Sequence, residues 1–522
     1  MSIEVNAPLL TDFQPATDAQ WREAAEKLLK GAPFEKKLLT KTPEGITLQP
    51  IYTPEAHGAD LPAGQVPGSG DFRRGASSVG YVVQPWDIAQ ELPYGTPETF
   101  NAALLADLMR GQNAVNVPLD LAAKRGVDPD VGKVGEVGAC GLSVASVADL
   151  RAAFKGVIPS AVAFYFQPGV SFIPLAGLIL GWLDAEGHER KSLRGGLNAD
   201  PLATLACAGE LPVSLATAYR EMAALATRFA EQCPDFAAVG VSTLPHASAG
   251  ASAVEELACA IGVGTEYLRK LTEAGVPVDT ACAQMRFTFA LGPNFFMEVA
   301  KLRAARVLWA TVVEAFGGKP ESRAMRIHGR TTLWNKTRID PYNNMLRATL
   351  ESLSGAIGGV QSLHTGTFDE ILGEPDTFSR RVARNTQIIL QEECELTGVI
   401  DPAGGSWFIE TLTDELAGKA WAMFQEIEQA GGAFAALQSG MIQSRIAAVR
   451  EERFKHIGQR RQGLIGTNLF PDTAEKPVAA NIPDYADIQR KRAAQLSAYR
   501  TSASDDKDWT VLERLNAIAS RE

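Results

Sequence analysis

Along the chain, short apolar runs rich in β-formers alternate with stretches whose apolar positions recur every three to four residues. The clearest unit begins with the alternating run Arg286–Leu291, continues through the turn Gly292-Pro293, and reaches Asn294, a residue suited to a helix N-cap. Beyond it Phe295, Val299, Leu302, Trp309, Val313 and Phe316 fall on one helical face, and Gly317-Gly318 with Pro320 supplies the stop. This is a strand, a turn and a helix.

Strand-like runs of the same kind, each followed by a helical pattern, recur at Ala114–Leu119, Gly141–Val144, Ala161–Gln167, Gly195–Asn198, Ala238–Thr243, Met285–Leu291, Met325–Thr331 and Val360–Thr365. Such a series of parallel strand–helix units predicts an α/β protein, a (β/α)8 TIM barrel, with functional residues where strands pass into the loops that follow them. An open doubly wound sheet is the other architecture the pattern allows. It would carry a glycine-rich nucleotide turn after its first strand, and the sequence has no GxGxxG or Walker loop.

The barrel is expected over residues 101–400. Residues 1–100 read as an extended arm: an amphipathic helix near Ala19–Lys30, a hairpin-like stretch Gly45–Tyr52, and a Pro/Gly-rich loop from Thr53 to Gly70. A helix over 95–111 leads into the first barrel strand. Past the eighth strand come a helix near Phe378–Cys394, a loop at Asp401–Trp407 and a long helix Asp414–Ala430, so that 401–470 flanks the barrel. Residues 471–522 read as a linker with two more helices, Ala486–Tyr499 and Trp509–Ser520.

Of the 522 residues 46% are hydrophobic and 21% charged, enough to bury a full core, and the net charge of −11 argues against a nucleic-acid partner. Met1–Thr17 carries no basic, apolar leader, and the longest apolar run, near Phe172–Leu183, is too short to span a bilayer, so a cytoplasmic protein without a membrane is expected. The six cysteines are dispersed, with no CxxC pair, and read as reduced.

Six histidines can be weighed one by one. His57, His188 and His456 lie among polar residues; His246, His328 and His364 fall where a barrel gathers its site, but without the spacing of zinc ligands. Strand seven, His328-Gly329-Arg330-Thr331-Thr332, and strand eight, Gln361-Ser362-Leu363-His364-Thr365, carry polar side chains where barrel strands usually carry Val, Ile and Leu. Either the lumen holds a polar ligand, or the polar faces meet solvent on an antiparallel sheet. Arg286, Arg326 and Arg330 could serve a phosphate or carboxylate, or pair with acidic neighbours.

Taken together, the stretch Asn294–Arg306 (NFFMEVAKLRAAR), Gln361–Thr365, Ala383-Arg384-Asn385-Thr386-Gln387 and Asp401–Ser406 (DPAGGS) resemble the acyl-CoA mutase domain of the methylmalonyl-CoA mutase family, from about residue 35 to 470. The resemblance implies a TIM barrel threaded by the pantetheine arm of an acyl-CoA, and radical rearrangement begun by adenosylcobalamin. It places Tyr81 at the substrate tyrosine and Asn198, in Gly195–Asp200, at the substrate glutamine. The carboxylate-gripping arginine falls on Ala208 or a neighbour, none of them basic, and His246 stands one place late after Thr243-Leu244-Pro245. On the CoA side it matches Arg286, Thr288, His328, Gln361 and Ser362, and it sets Glu370 near the adenosyl group. Tyr81, Asn198 and His246 are therefore expected as a weakened or vestigial catalytic set.

Family members ligate cobalt through a D-x-H-x-x-G loop on a C-terminal domain or separate chain. None of the six histidines lies in that pattern, so the cobalamin is expected on a partner chain. Phe13–Trp21 and Ala199-Asp200-Pro201-Leu202 resemble the small, non-catalytic subunit of heterodimeric mutases, implying a catalytic large subunit as partner. The alternative is an active chain working with a detached cobalamin-binding subunit on another acyl-CoA.

Overall fold

A computed structural model describes residues 16–54, 65–472 and 474–503. The His57 position, residues Phe13 to Pro15 and the helix expected at Trp509–Ser520 lie outside them.

Eight parallel strands form one sheet: β1 Asp87–Ile88, β2 Ala114–Pro118, β3 Ala163–Gln167, β4 Arg194–Ala199, β5 Phe236–Ser242, β6 Met285–Leu291, β7 Ile327–Thr331 and β8 Ser362–His364. Each neighbour in sequence is a neighbour in the sheet from β2 to β8, and β8 returns to pair with β1 in register Ser362↔Asp87. The parallel bridge Glu91↔Asn116 and the bond from Asn116 Nδ2 to the Ala89 carbonyl (3.0 Å) close the ring between β1 and β2. The barrel is thus a (β/α)8 barrel.

Ala114–Leu119 forms β2 as read from the sequence, but the second expected strand and the first observed one do not match. Gly141–Val144 is not a ladder strand: Leu142 makes one isolated bridge to Leu119, with its amide on the Pro118 carbonyl at 2.8 Å. Its apolar character reflects burial in a loop, since Leu142 is fully enclosed. The missing member of the ring is β1, two residues long, inside the stretch expected as an arm.

Helices follow the strands around the outside: α1 Pro97–Leu108, α2 Val147–Ala153, α3 Phe172–Ala185, α4 Leu215–Gln232, α5 Ala253–Glu273, α6 Phe295–Ala315, α7 Asn343–Ile357 and α8 Thr377–Glu392. Outward strand positions, among them Val115, Val117, Phe164, Phe166, Val239, Val241, Phe287, Phe289 and Leu363, are buried against these helices. The alternate positions face one another inside the ring. Tyr165 on β3 bonds Asp87 on β1, and Arg286 on β6 bonds Ser362 on β8, contacts that only a shared lumen permits. Polar alternation in strands seven and eight therefore belongs to a polar barrel interior and not to a solvent-facing antiparallel sheet.

A further helix, α9 Trp407–Gln429, starts seven residues earlier than the pattern indicates and packs across α5 and α6. It is followed by α10 Met441–Gly458 and α11 Tyr485–Ala503. Buried Arg492 fastens α11 to Asp149 of α2 at 2.8 Å. Before the barrel lie the helix Asp18–Leu28 and a small hairpin pairing Thr40–Lys41 with Thr47–Leu48. No helix among the described residues is long and apolar enough to cross a membrane.

Candidate active site at the barrel mouth

The carboxyl ends of the strands open into a cavity of about 850 Å³, bordered by Glu91, Asn116, Gln167, Asn198, Asp200, Ser242 and residues of the loops beyond them. Its floor is formed by Tyr165, Arg286, Thr288 and His328. A second cavity of about 300 Å³ lies at the opposite end, lined by Tyr81, Trp86, Arg306, Gly359 and Gln361. No residue lines both.

Between them a layer of side chains crosses the lumen. The buried Arg286 guanidinium lies 3.7 Å from the centre of the Tyr165 ring and donates to the Ser362 hydroxyl. His328 Nδ1 pairs with the same hydroxyl at 2.7 Å, and the Tyr165 hydroxyl donates to Asp87 at 2.6 Å. Burial and the nearby Arg286 charge push the His328 ring well below the ordinary histidine range, so it is neutral at pH 7.

Above this layer, Arg330 reaches both oxygens of Glu91 at 3.0–3.2 Å and Glu370 at 3.4 Å. Burial alone would raise the Glu91 carboxyl, but Arg330, with help from His364 and Gln167, holds it well below the usual carboxylate range. Glu370, with the longer bond, stays raised by burial. The arginines split between the two roles open to them: Arg330 pairs with acids, Arg286 is bound inside the lumen, and Arg326 is directed to the Ala283 carbonyl at 3.0 Å.

Asn198 stands at a break in the β4–β5 ladder, between the pairs Gly196↔Ala237 and Ala199↔Val239. Its φ of +57° is left-handed, a conformation asparagine tolerates better than most residues. Gly240 makes room for it, because a Cβ there would lie 2.9 Å from the Asn198 Cα. The Asn198 amide donates to the Phe166 carbonyl at 2.8 Å, and its buried oxygen has no partner among the described residues. That orphan acceptor at a strained position marks the mouth as a site.

The residues expected from the sequence are therefore divided. Asn198, Arg286, Thr288 and His328 line the mouth cavity, Ser362 lies in the layer below it, and Glu370 joins the Arg330 network. Tyr81 and Gln361 belong to the opposite end, where the Tyr81 hydroxyl donates to the Val360 carbonyl at 2.5 Å and Gln361 accepts from the Ile327 amide at 2.5 Å. His246, next in sequence to Leu244 and Pro245 of the mouth wall, is buried and does not line the cavity, and neither ring nitrogen has a hydrogen-bond partner among the described residues. Glu91, Tyr165, Asp87 and Lys124 were not expected. Glu91 and Asp87 were hidden by the short strand β1, and the other two carry no motif.

A methylmalonyl-CoA mutase family model matches residues 41–522. The chain belongs to the methylmalonyl-CoA mutase family. It is 39% identical to the methylmalonyl-CoA mutase small subunit of Streptomyces virginiae over 90% of this chain and 73% of that one. To the large subunit of the same organism it is 34% identical over 96% of this chain and 68% of that one. The methylmalonyl-CoA mutase of Cereibacter sphaeroides is 35% identical over 96% of this chain and 71% of its own length.

The mutase family motifs turn out to hold the architecture. Within NFFMEVAKLRAAR, Lys301 is buried against Glu256 (2.7 Å), Glu298 and the Ala290 carbonyl, which locks α6 to α5 and to the end of β6. Fully buried Arg303 grips Asp401 of the DPAGGS loop and Glu410 of α9. Arg306 donates to the carbonyls of Phe72, Arg73 and Gly358. In ARNTQ, Arg384 pairs with Asp107 at 2.7 Å, and Gln387 bonds Gln90 and the Leu363 carbonyl.

Proposed function

We propose that this chain is the small, non-catalytic partner of a catalytic methylmalonyl-CoA mutase large subunit, in a complex that interconverts methylmalonyl-CoA and succinyl-CoA with adenosylcobalamin. The observation that carries the reading is the layer across the lumen. Arg286, Ser362, His328, Tyr165 and Asp87 bond to one another where a pantetheine arm would have to pass. Admitting that arm would strip a buried guanidinium of its ring and hydroxyl partners, at a cost of several kcal/mol. Ala208 at the mouth, where a carboxylate-gripping arginine would stand, supports the same reading, as does the higher identity to a small subunit than to a large one from the same organism.

On this reading Tyr81, Asn198 and His246 are remnants of a catalytic set. Arg286, Thr288, His328, Gln361 and Ser362 are remnants of a CoA path turned to internal bonding, and Glu370 is an acid of the adenosyl-facing end now held by Arg330. The described residues do not fit cobalt ligation. His328 and His364 are enclosed in the barrel, His246 is buried, His188 packs on Trp182, and His456 pairs with Glu452 at 3.1 Å. The cobalamin is accordingly assigned to the partner chain.

Turnover of methylmalonyl-CoA should be assayed with adenosylcobalamin using this chain alone, then with a large subunit, then with a short cobalamin-binding chain. Activity only with the large subunit, unchanged by Asn198→Ala in this chain, is the expected result. Activity with the short chain, lost on the same substitution, would make this barrel the seat of catalysis and overturn the proposal.

A further inference from the structure

The charges that face the mouth cavity are not equally committed. Glu91 is held by Arg330 and by Gln167 at 2.9 Å; Glu136 is held by Arg125 at 2.8 Å. Asp200 accepts from the Tyr267 hydroxyl at 2.5 Å and from the backbone of Ser242 and Ala203 at 2.6 and 3.0 Å. Arg286 is bound to Ser362 and Tyr165. Among the cations Lys124 is the exception. It is partly buried, lines the cavity, and its ammonium has no hydrogen-bond or ion-pair partner among the described residues.

Its placement is fixed by two loops at once. Lys124 ends the short helix Leu121–Lys124, whose N-cap Asp120 accepts from the amides of Ala123 at 2.7 Å and Gly138 at 2.6 Å. The Lys124 carbonyl accepts from the Val170 amide at 3.1 Å, in the loop after β3. Gly169 packs so closely that a Cβ there would lie 2.5 Å from that carbonyl oxygen and 2.9 Å from the Lys124 Cβ. A flexible side chain thus springs from a rigid base. Burial draws its ammonium below the ordinary lysine range, outweighing the charges of Glu91 and Asp120, with neither of which it forms an ion pair.

We infer that the mouth cavity of this chain is a binding site for a small organic anion, with Lys124 as its counter-charge. Leu121, Pro168, Ala203 and Ala206 offer apolar surface to the carbon skeleton, while Thr204 and Ser242 offer hydroxyls. The lumen layer seals the floor, so the ligand enters and leaves from the mouth and need not carry a long thioester arm. The inference goes beyond the structural role proposed above and stands whether or not the chain turns over substrate. Carboxylate and phosphoryl groups share the required chemistry, and the apolar wall favours a carboxylate.

The test is calorimetric titration of the full chain with succinate, with inorganic phosphate and with succinamide, the uncharged analogue of succinate. Succinate should bind and succinamide should not. Lys124→Ala should weaken succinate about tenfold or more, Lys124→Arg should keep it within about threefold, and Lys270→Ala, which removes one positive charge from an outer helix, should leave it unchanged. Tighter binding of phosphate than succinate, with the same dependence on Lys124, supports the anion site and assigns it to a phosphoryl group. Absence of binding by either anion up to about 10 mM, or binding indifferent to Lys124→Ala in a variant with wild-type circular dichroism, overturns it. Because no partner subunit is present, neither result bears on the turnover experiment.

Discussion

Glu91 shows how a largely buried charge is tolerated: it sits with Arg330 in a bidentate geometry at the edge of the mouth cavity, with little of either side chain left to solvent. Removing one partner leaves the other buried and uncompensated. Arg330→Met should therefore cost about 3–5 kcal/mol, whereas combining it with Glu91→Gln and Glu370→Gln should recover most of that loss, since neutral replacements at all three positions leave no stranded charge. Unfolding of the two variants against wild type measures the difference; equal losses would mean that the pair contributes packing and not charge compensation. His246 makes the opposite case, a titratable group with no hydrogen-bond partner among the described residues. Burial lowers it to about 4. The unfolded chain takes up a proton near pH 6.5 that the folded chain refuses, so stability is lost as pH falls from about 6.5 toward 4. Between pH 7 and 5 this group alone accounts for roughly 2 kcal/mol. His246→Leu should flatten the fall in thermal midpoint over that range, and an identical fall would show that the ring is protonated without penalty.

At the level of elements, α6 links the barrel to what surrounds it. Arg303 joins Asp401 and Glu410, and those two acids hold Arg74 at 2.9 Å and Arg73 at 3.3 Å in the segment before β1. Arg303→Ala should leave each acid with one cationic partner in place of two, cost about 3 kcal/mol, and speed tryptic cleavage after Arg73 and Arg74, read by mass spectrometry. Unchanged cleavage would mean that the Arg306 bonds to the Phe72 and Arg73 carbonyls hold the segment by themselves. The same elements show what the sequence could and could not reveal. Strands β2 to β8 announce themselves as short runs each followed by a helical pattern. β1 does not: two residues, one of them Asp87, leave no period to detect, and its place in the ring rests on pairing with a strand distant in sequence. Gly141–Val144 misled for the complementary reason, as a fully buried loop has a strand's hydrophobicity without its ladder. Asn294 occupies the N-cap of α6 as its residue type foretells, yet makes no side-chain hydrogen bond there.

For the whole molecule, the polar lumen was legible in the residues of strands seven and eight, but which polar groups satisfy one another was not. Residue type gives the capacity to bond, and only the closed ring brings Tyr165 to Asp87 and Arg286 to Ser362. Lys124 had no signal in the sequence, since a lysine at the end of a four-residue helix reads as an ordinary solvated charge. The closure of the ring has one more consequence. Gln90 and Thr365, which bond across the β1–β8 seam at 2.9 Å, are 275 residues apart. During synthesis at about 5–20 residues per second, the residues of β1 leave the ribosome roughly 15–55 s before the strand that receives them exists. For that interval the hydrophobic outer faces of β2 and β3 are part of an open sheet with an unpaired edge, and an incomplete nascent barrel is the form of this protein most exposed to aggregation and most in need of a chaperone.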